Sequence, residues 1–253
     1  MVEPLLTLQD VGKSFGGVVA IDRVTTALAP GEVRGLIGPN GSGKTTLLNL
    51  IGGQLSPDAG EIRLGGRPVH GLSPDAVAAL GVARTFQLPR VFRHMTVLDN
   101  LLVPFCADHR RAPWVEGREA ARRTIEFVGL DALAHAEARE LSGGQAMLLQ
   151  LARCFVQRPL RLCLLDEPFA GVHPAIKDRM VHAILEMNRR DGVTFLVVSH
   201  EMATLRKLCT RVSVMHNGEW IAEGTLDEVA RAPQVIEAYL GGREIAVLPA
   251  RGT

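Results

Sequence analysis

The residues from Leu36 to Thr46 read L-I-G-P-N-G-S-G-K-T-T. Gly38, Gly43, Lys44 and Thr45 satisfy the pattern G-x-x-x-x-G-K-[ST], between two apolar runs, Val33–Ile37 and Leu47–Ile51. A strand ending in such a turn aims successive backbone N–H groups inward at a helix start and makes a nest for an anion. A side chain at Gly41 or Gly43 would block that approach. Lys44 then offers a point charge to the β- and γ-phosphates of ATP and Thr45 a hydroxyl to Mg²⁺, with Pro39, Asn40, Ser42 and Thr46 completing the loop.

A second stretch, R-L-C-L-L-D-E-P, delivers Asp166 and Glu167 at the end of an apolar strand, where ligands of open α/β sheets bind. One carboxylate there can hold Mg²⁺ through water, and the next can polarise an attacking water. Alone, such a pair is as often a strand ending in solvent; behind the glycine loop it points to hydrolysis.

These residues need elements to position them. Short apolar runs alternate with helical patterns along the chain. Strands are expected at Leu5–Gln9, Val18–Leu28, Val33–Ile37, Glu61–Leu64, Val82–Phe86, Leu160–Leu165, Thr194–Ser199, Arg211–Met215 and Trp220–Glu223. Helices are expected at Lys44–Gly52, Pro74–Leu80, Val97–Val103, Arg118–Val128, Gly144–Gln157, Pro174–Arg189, Glu201–Leu208 and Gln234–Leu240. Several strands are β-rich and uninterrupted, as expected for a buried sheet. The strand rhythm lapses between Phe86 and Leu160, where the pattern is helical with Pro89, Pro104 and Pro113 as punctuation. A helical insertion in an α/β core follows. The expected division is residues 1–87 and 157–241 for the core, 88–156 for the helical part, and a loose tail at 242–253.

The totals narrow the class. The chain has 253 residues, 47% hydrophobic and 22% charged, with a net charge of +1. That balance gives no electrostatic footprint for nucleic acid or an anionic membrane. The four cysteines form no C-x-x-C pair, so neither a disulfide framework nor a metal knuckle is expected, and the thiols read as reduced and cytosolic. The first residues, M-V-E-P-L-L-T-L-Q-D, lack the basic and apolar regions of a signal peptide. No apolar run approaches the roughly 18 residues of a membrane span. Work at a membrane would go through a partner.

A third motif decides the class. Leu141–Gln145 reads L-S-G-G-Q, before a predicted helix and about 20 residues ahead of Asp166. Together with G-P-N-G-S-G-K-T-T, L-L-D-E-P and V-S-H at Val198–His200, it resembles the ATP-binding subunits of ABC transporters from about Leu5 to Gly241. The resemblance implies a RecA-like P-loop core with an antiparallel β subdomain and an inserted helical subdomain. It implies that Phe15, in K-S-F-G-G, stacks on adenine, unless that ring is core. Gly38 to Thr46 take the Walker A role. Gln87, in R-T-F-Q, touches Mg²⁺ or the attacking water. Ser142, Gly143, Gly144 and Gln145 form the signature, which binds the γ-phosphate of ATP held by the opposite protomer. Asp166 and Glu167 are the metal aspartate and the catalytic glutamate, and His200 contacts the γ-phosphate. The signature makes physical sense by itself: a helix start with two glycines and a serine is a second phosphate nest, and two nests in one chain suggest two chains sandwiching nucleotide.

R-T-F-Q-x-x-x-x-F-x-x-M-T-V-L-D-N-L-L-V and the late V-I-E-A-Y-L-G (Val235–Gly241) resemble the branched-chain amino acid importer type within this family. The partners so implied are two membrane permeases, a second ATP-binding subunit (a paralogue or a second copy) in an ATP-sandwich dimer and, indirectly, a periplasmic or extracellular solute-binding protein, with no nucleic acid. The implied place is the cytoplasmic face of the membrane, held peripherally. Importers of urea and short amides share the pattern. An exporter ATPase, a soluble ABC ATPase and a catalytically weakened regulatory subunit are the competing classes. Two departures from the family stand out. Ala146 to Leu149 are uncharged and mostly apolar where the family carries glutamine and basic residues, which puts their interface or glutamine-loop contacts in doubt. In A-G-V-H-P, His173 replaces an Asp or Asn; its imidazole can donate across an interface, and protonation is expected to weaken ATP-driven dimerisation at low pH.

Overall fold

The computed structural model describes residues 3–106 and 114–240. The chain opens with an antiparallel hairpin, β1 (Leu6–Phe15) and β2 (Val18–Leu28), and enters the main sheet as β3 (Val33–Ile37). The glycine loop follows and runs into α1 (Lys44–Ile51). β4 (Ala59–Leu64) and β5 (Arg67–Pro68) return to the hairpin, giving a four-stranded sheet in the order β2-β1-β4-β5. After α2 (Pro74–Ala79), β6 (Val82–Arg84) reaches the edge of the main sheet.

Three helices come next: α3 (Val97–Cys106), α4 (Trp114–Val128) and α5 (Gly143–Val156), with 3-10 turns at Asp131–Leu133 and Ala138–Glu140. The chain then alternates as β7 (Leu162–Asp166), α6 (Pro174–Asp191), β8 (Thr194–Val198), α7 (Met202–Leu208), β9 (Arg211–His216) and β10 (Glu219–Gly224), and closes with α8 (Leu226–Arg231) and α9 (Pro233–Leu240). The main sheet has the order β10-β9-β3-β8-β7-β6. All its pairs are parallel except the β9–β10 hairpin.

Alternation along the central strands splits the interior into two cores. On β7, Leu162 and Leu164 face one core, and Cys163 and Leu165 face the other. On β8, Leu196 and Val198 join the first, and Phe195 and Val197 the second. The first core is closed by the small sheet and by Leu47, Leu48 and Ile51 of α1. The second is closed by α3, α4, α5 and α6, with Phe155 edge-on to Phe195 at 6.4 Å between ring centroids. The helices between β6 and β7 therefore pack on the same face of the sheet as α6.

Local differences from the expected elements have local causes. β1 does not stop at Gln9: Asp10 takes a left-handed φ of 49°, the register slips between Leu8 and Val11, and pairing resumes to Phe15. α3 passes Pro104 and ends at Cys106. β5 and α8 were not expected. α8 is announced by a capping box, in which Thr225 Oγ1 accepts from Glu228 N at 3.3 Å while Thr225 N donates to Glu228 Oε2 at 2.7 Å. Among the described cysteines, Cys154, Cys163 and Cys209 are free thiols. The tail 242–253 lies outside the described residues. Among the described residues, no helix is long and apolar enough to cross a membrane.

Candidate functional site

Three neighbouring parallel strands, β3, β8 and β7, end side by side, and each feeds a loop with functional side chains. β3 leads to the glycine loop, β7 to Asp166 and Glu167, and β8 to Ser199 and His200. The carboxyl end of a parallel sheet is where open α/β folds bind ligands.

The glycine loop is built tightly. Gly38, Gly41 and Gly43 have φ of 151°, 79° and 103°. A Cβ on Gly38 would lie 2.1 Å from the Met215 carbonyl oxygen, and one on Gly43 would lie 2.5 Å from the Ala20 carbonyl oxygen. Gly41 faces open space and is needed for its φ alone. At Gly43, packing against the protein's own backbone is a stronger reason for glycine than clearance for a nucleotide. Lys44 is only 7% exposed. Its Nζ donates to the carbonyl oxygens of Gly38 at 2.7 Å and Pro39 at 2.8 Å, and more weakly to Ser42 Oγ at 3.4 Å. Burial lowers the pKa of this ammonium, opposed by the charges of Glu167 and Asp166.

Thr45 Oγ1 donates to Asp166 Oδ1 across 3.4 Å. A hydroxyl and a carboxylate so placed fit Mg²⁺, which takes few protein ligands and fills the rest of its octahedron with phosphate oxygens and water. Asp166 is buried; the Thr85 hydroxyl accepts its backbone N–H at 3.2 Å, and its other oxygen meets an Arg84 guanidinium nitrogen at 3.3 Å. Neither Arg84 nor Thr85 was singled out by motif, although an arginine ending an apolar strand next to F-Q is a visible signal.

Glu167 has a left-handed φ of 47°, uncommon for a residue with a side chain and a form of backbone strain that clusters at functional sites. Its Oε1 is buried without a hydrogen-bond partner, and the His200 Nε2 stands 3.1 Å from it, close enough for an ion pair when the ring is protonated. The His200 backbone N–H donates to the other carboxylate oxygen at 3.3 Å. Burial pushes the Glu167 carboxyl up, with His200 and Lys44 opposing. Such a carboxylate suits a general base.

Phe15 is 45% exposed at the end of β1, so its ring is no part of the core; Lys13 Nζ lies 5.6 Å from the ring centre. Gln87 is exposed in the loop after β6. Ser142 and Gln145 cap α5 reciprocally: Gln145 N donates to Ser142 Oγ at 3.3 Å, and Ser142 N donates to Gln145 Oε1 at 2.9 Å. Gly143 faces open space, whereas a Cβ on Gly144 would lie 3.2 Å from Ile176 and 3.3 Å from Val172. Among the described residues, no hydrogen bond or ion pair joins this turn to the Lys44 site. His173 caps α6, its Nδ1 accepting from Ala175 N at 3.3 Å.

One turn beyond Ala146 to Leu149, other residues of α5 hold the segment around Gln87. The buried Gln150 donates to the Phe86 carbonyl oxygen at 2.9 Å and accepts the Arg90 N–H at 3.0 Å. Arg153 donates to the Arg90 carbonyl oxygen at 2.6 Å. Gln150, a lone polar residue in an apolar helical stretch, could have been read as a clamp on another segment. Burial pushes the Tyr239 phenol of α9 up to about 12, and its hydroxyl is buried without a hydrogen-bond partner.

Comparison with known proteins agrees with this geometry. Residues 21–170 match the family described as ABC transporter, and residues 221–245 match that described as branched-chain amino acid ATP-binding cassette transporter. The chain is 38% identical over 250 residues, 95% of its length and 96% of the relative's, to a probable branched-chain amino acid transport ATP-binding protein LivG of Archaeoglobus fulgidus. It is 35% identical over 257 residues to the high-affinity LivG of Escherichia coli K12, covering 95% of this chain and 99% of that one. Among solved structures, the ADP conformation of an ATP-binding cassette of an ABC transporter superposes with a TM-score of 0.83 at 33% identity, covering 95% of this chain and all of the other. A dimeric bacterial ABC transporter cassette superposes at 0.80, with 26% identity, over 87% of this chain and 98% of that one.

Proposed function

The chain belongs to the ABC transporter ATP-binding family, and from that premise we propose that it is the ATPase subunit of an amino acid importer, branched-chain amino acids being its cargo class. The observation that carries the ATPase part is the convergence of Lys44, Thr45, Asp166, Glu167 and His200 at the ends of three adjacent parallel strands. The cargo class rests on the relatives' names and on the match at residues 221–245.

Each side chain has a task. The loop amides and Lys44 cradle the β- and γ-phosphates; Nζ can keep its two carbonyl partners and turn its third N–H from the weak Ser42 contact to phosphate. Phe15 offers a ring face to adenine. Mg²⁺ held by Thr45, Asp166 and Gln87 would neutralise charge on the phosphates. Glu167 orients and deprotonates the attacking water, and His200 holds Glu167 and reaches the γ-phosphate. The self-capped Ser142–Gln145 turn binds phosphate held by another ATP-binding subunit. Closure of that dimer shifts a two-state equilibrium by the differential affinity of ATP for the closed state.

Residues 1–87 with 157–241 act as the core and 88–156 as the helical part. A cleft of about 590 Å³ lies at their junction, lined among others by Phe86, Val91, Phe92, Pro104 and Cys154. Leu88 is 80% exposed at the start of the intervening loop. Arg84, Arg90 and Arg153 line the same cleft, and this mix of aromatic and cationic side chains suits an amphipathic helix from a membrane permease. Two permeases and, through them, a solute-binding protein complete the assembly, which places this subunit on the cytoplasmic face of the membrane.

The test is cross-linking of tagged Glu167→Gln protein with ATP in native membranes. Recovery of two permeases and a second ATP-binding subunit, with amino acid uptake lost in the variant, supports the proposal. Recovery of ribosomes or nucleic acid alone would remove the transport reading.

A further inference from the structure

Arg84 opens the R-T-F-Q stretch without a role assigned to it, yet its guanidinium is the most heavily shared group near the metal aspartate. Its side chain is 6% exposed. One terminal nitrogen meets Asp166 Oδ2 at 3.3 Å, the oxygen opposite the one that faces Thr45. The other donates to Asn49 Oδ1 at 2.6 Å, in the last turn of α1, and to Gln54 Oε1 at 2.9 Å, just beyond it. The guanidinium also lies 5.1 Å from the centre of the Phe86 ring, and Arg90 lies 4.1 Å from the same ring. Phe86 and Arg90 are the two residues that Gln150 holds.

Burying a guanidinium is costly unless it is paired and hydrogen-bonded. Here the two terminal nitrogens serve an aspartate and the end of the helix that carries Lys44 and Thr45, the guanidinium lies near an aromatic ring one residue before Gln87, and Nε is buried without a partner. A planar fork over a ring is an arrangement that lysine cannot reproduce. The chain of contacts runs Asp166, Arg84, Phe86, Arg90, Gln150, and it ends in α5, whose first turn is Ser142–Gln145.

We propose that Arg84 is a positioning residue that pins one oxygen of Asp166 so that the other faces the metal, and that its stack on Phe86 passes the state of that site to the loop and to α5. The first half resembles the outer-shell partners that orient metal-ligating carboxylates. The second half assigns to Phe86, Arg90 and Gln150 a linkage that Ala146 to Leu149 cannot make. The inference rests on the nucleotide-and-metal reading above.

The experiment uses the full chain with saturating ADP. Mn²⁺ is titrated by electron paramagnetic resonance, and amide exchange is followed across residues 86–92 with and without ADP and Mn²⁺. Arg84→Lys is expected to keep metal-free ADP affinity within about twofold and to raise the Mn²⁺ half-saturation about tenfold, the lower end for outer-shell partners. Phe86→Leu is expected to leave the Mn²⁺ half-saturation within about twofold, yet to lose the nucleotide-dependent protection of the loop, because it breaks the stack and spares the ion pair. Unchanged Mn²⁺ binding in Arg84→Lys would overturn the positioning role. Wild-type protection in both variants would overturn the linkage. Should Arg84→Lys fail to fold, Gln54→Ala removes one anchor of the same fork at an exposed position; an Mn²⁺ half-saturation equal to wild type there overturns the positioning role too. A wild-type chain that binds neither ADP nor Mn²⁺ would sink the functional reading itself, a distinct failure.

Discussion

The chain carries two glycine-rich helix starts, and they are built in opposite ways. At the first, Lys44 is buried, its amine is held by loop carbonyls, and two of the three glycines are dictated by backbone atoms of β2 and β9. At the second, Ser142 and Gln145 are satisfied by each other, Gly143 faces open space, and no cation or carboxylate of the described chain is bonded to the turn. The first is a whole phosphate site that is rigid before ligand arrives. The second is half a site, stable alone and complete only when another molecule supplies the rest. Preorganisation belongs where binding is intramolecular, and a self-capped, open turn belongs at an interface that forms and dissolves.

That contrast can be broken in graded steps. The largest effect is expected from Glu167→Gln, which removes the base and leaves both helix starts intact. Turnover should fall by about 10²–10⁴-fold while ATP still binds and holds the dimer closed; normal turnover in an ATPase assay would remove Glu167 from its role. Gly43→Ala comes next. The new Cβ meets the Ala20 carbonyl oxygen at 2.5 Å in a residue with a φ of 103°, a strain of roughly 1–3 kcal/mol before any clash. Its melting temperature should drop by about 5 °C or more and ATP binding should collapse, both readable by calorimetry. Gly144→Ala should be milder: its Cβ meets only side chains, Ile176 and Val172, so stability should stay within about 1 kcal/mol of wild type and ATP affinity of the isolated chain should not move. A loss of ATP binding there as large as at Gly43 would erase the distinction between the two starts.

The smallest effect is expected at His173. Its Nδ1 accepts the Ala175 N–H at 3.3 Å and caps α6. His173→Asn keeps a capping acceptor and should hold stability within a few tenths of a kcal/mol of wild type, whereas His173→Ala removes the cap and should cost about 1 kcal/mol in thermal unfolding; equal stability of the two variants would discard the capping role.

Much of this was legible in the sequence, and the reasons are physical. β2 and β3 were found with their observed bounds because turn residues flank them, Gly16–Gly17 and Pro30–Gly31 around β2 and Gly38 after β3, although β2 buries only Ile21, Val24 and Leu28. The glycine loop, the Asp166–Glu167 pair and the signature were found because phosphate and water chemistry restrict residue types at fixed spacing. β1 was cut short because Asp10 interrupts the alternation, although a left-handed bulge lets the strand resume. α8 was missed despite its T-x-x-E capping box, which lacks a long apolar face to draw attention. Arg84 and Gln150 each left a local signal, a cation closing an apolar strand and a lone amide in an apolar helix, but their partners lie 82 and 64 residues away, at Asp166 and Phe86, and no local spacing encodes those pairings. Phe15 was ambiguous between stacking platform and core until the fold placed it at an exposed strand end.

The measurement that tests the central claim most directly is calorimetric titration of Mg-ATP into the isolated chain, at concentrations where it is monomeric, for wild type, Lys44→Ala and Ser142→Arg. The first helix start should behave as a complete site and the second as half of one. Lys44→Ala should then lose ATP binding, while Ser142→Arg binds within about twofold of wild type and fails only in the ATPase activity of the assembled transporter. If Ser142→Arg weakened binding by the isolated chain as severely as Lys44→Ala, both turns would serve one nucleotide within one chain, and the two-chain sandwich would be wrong.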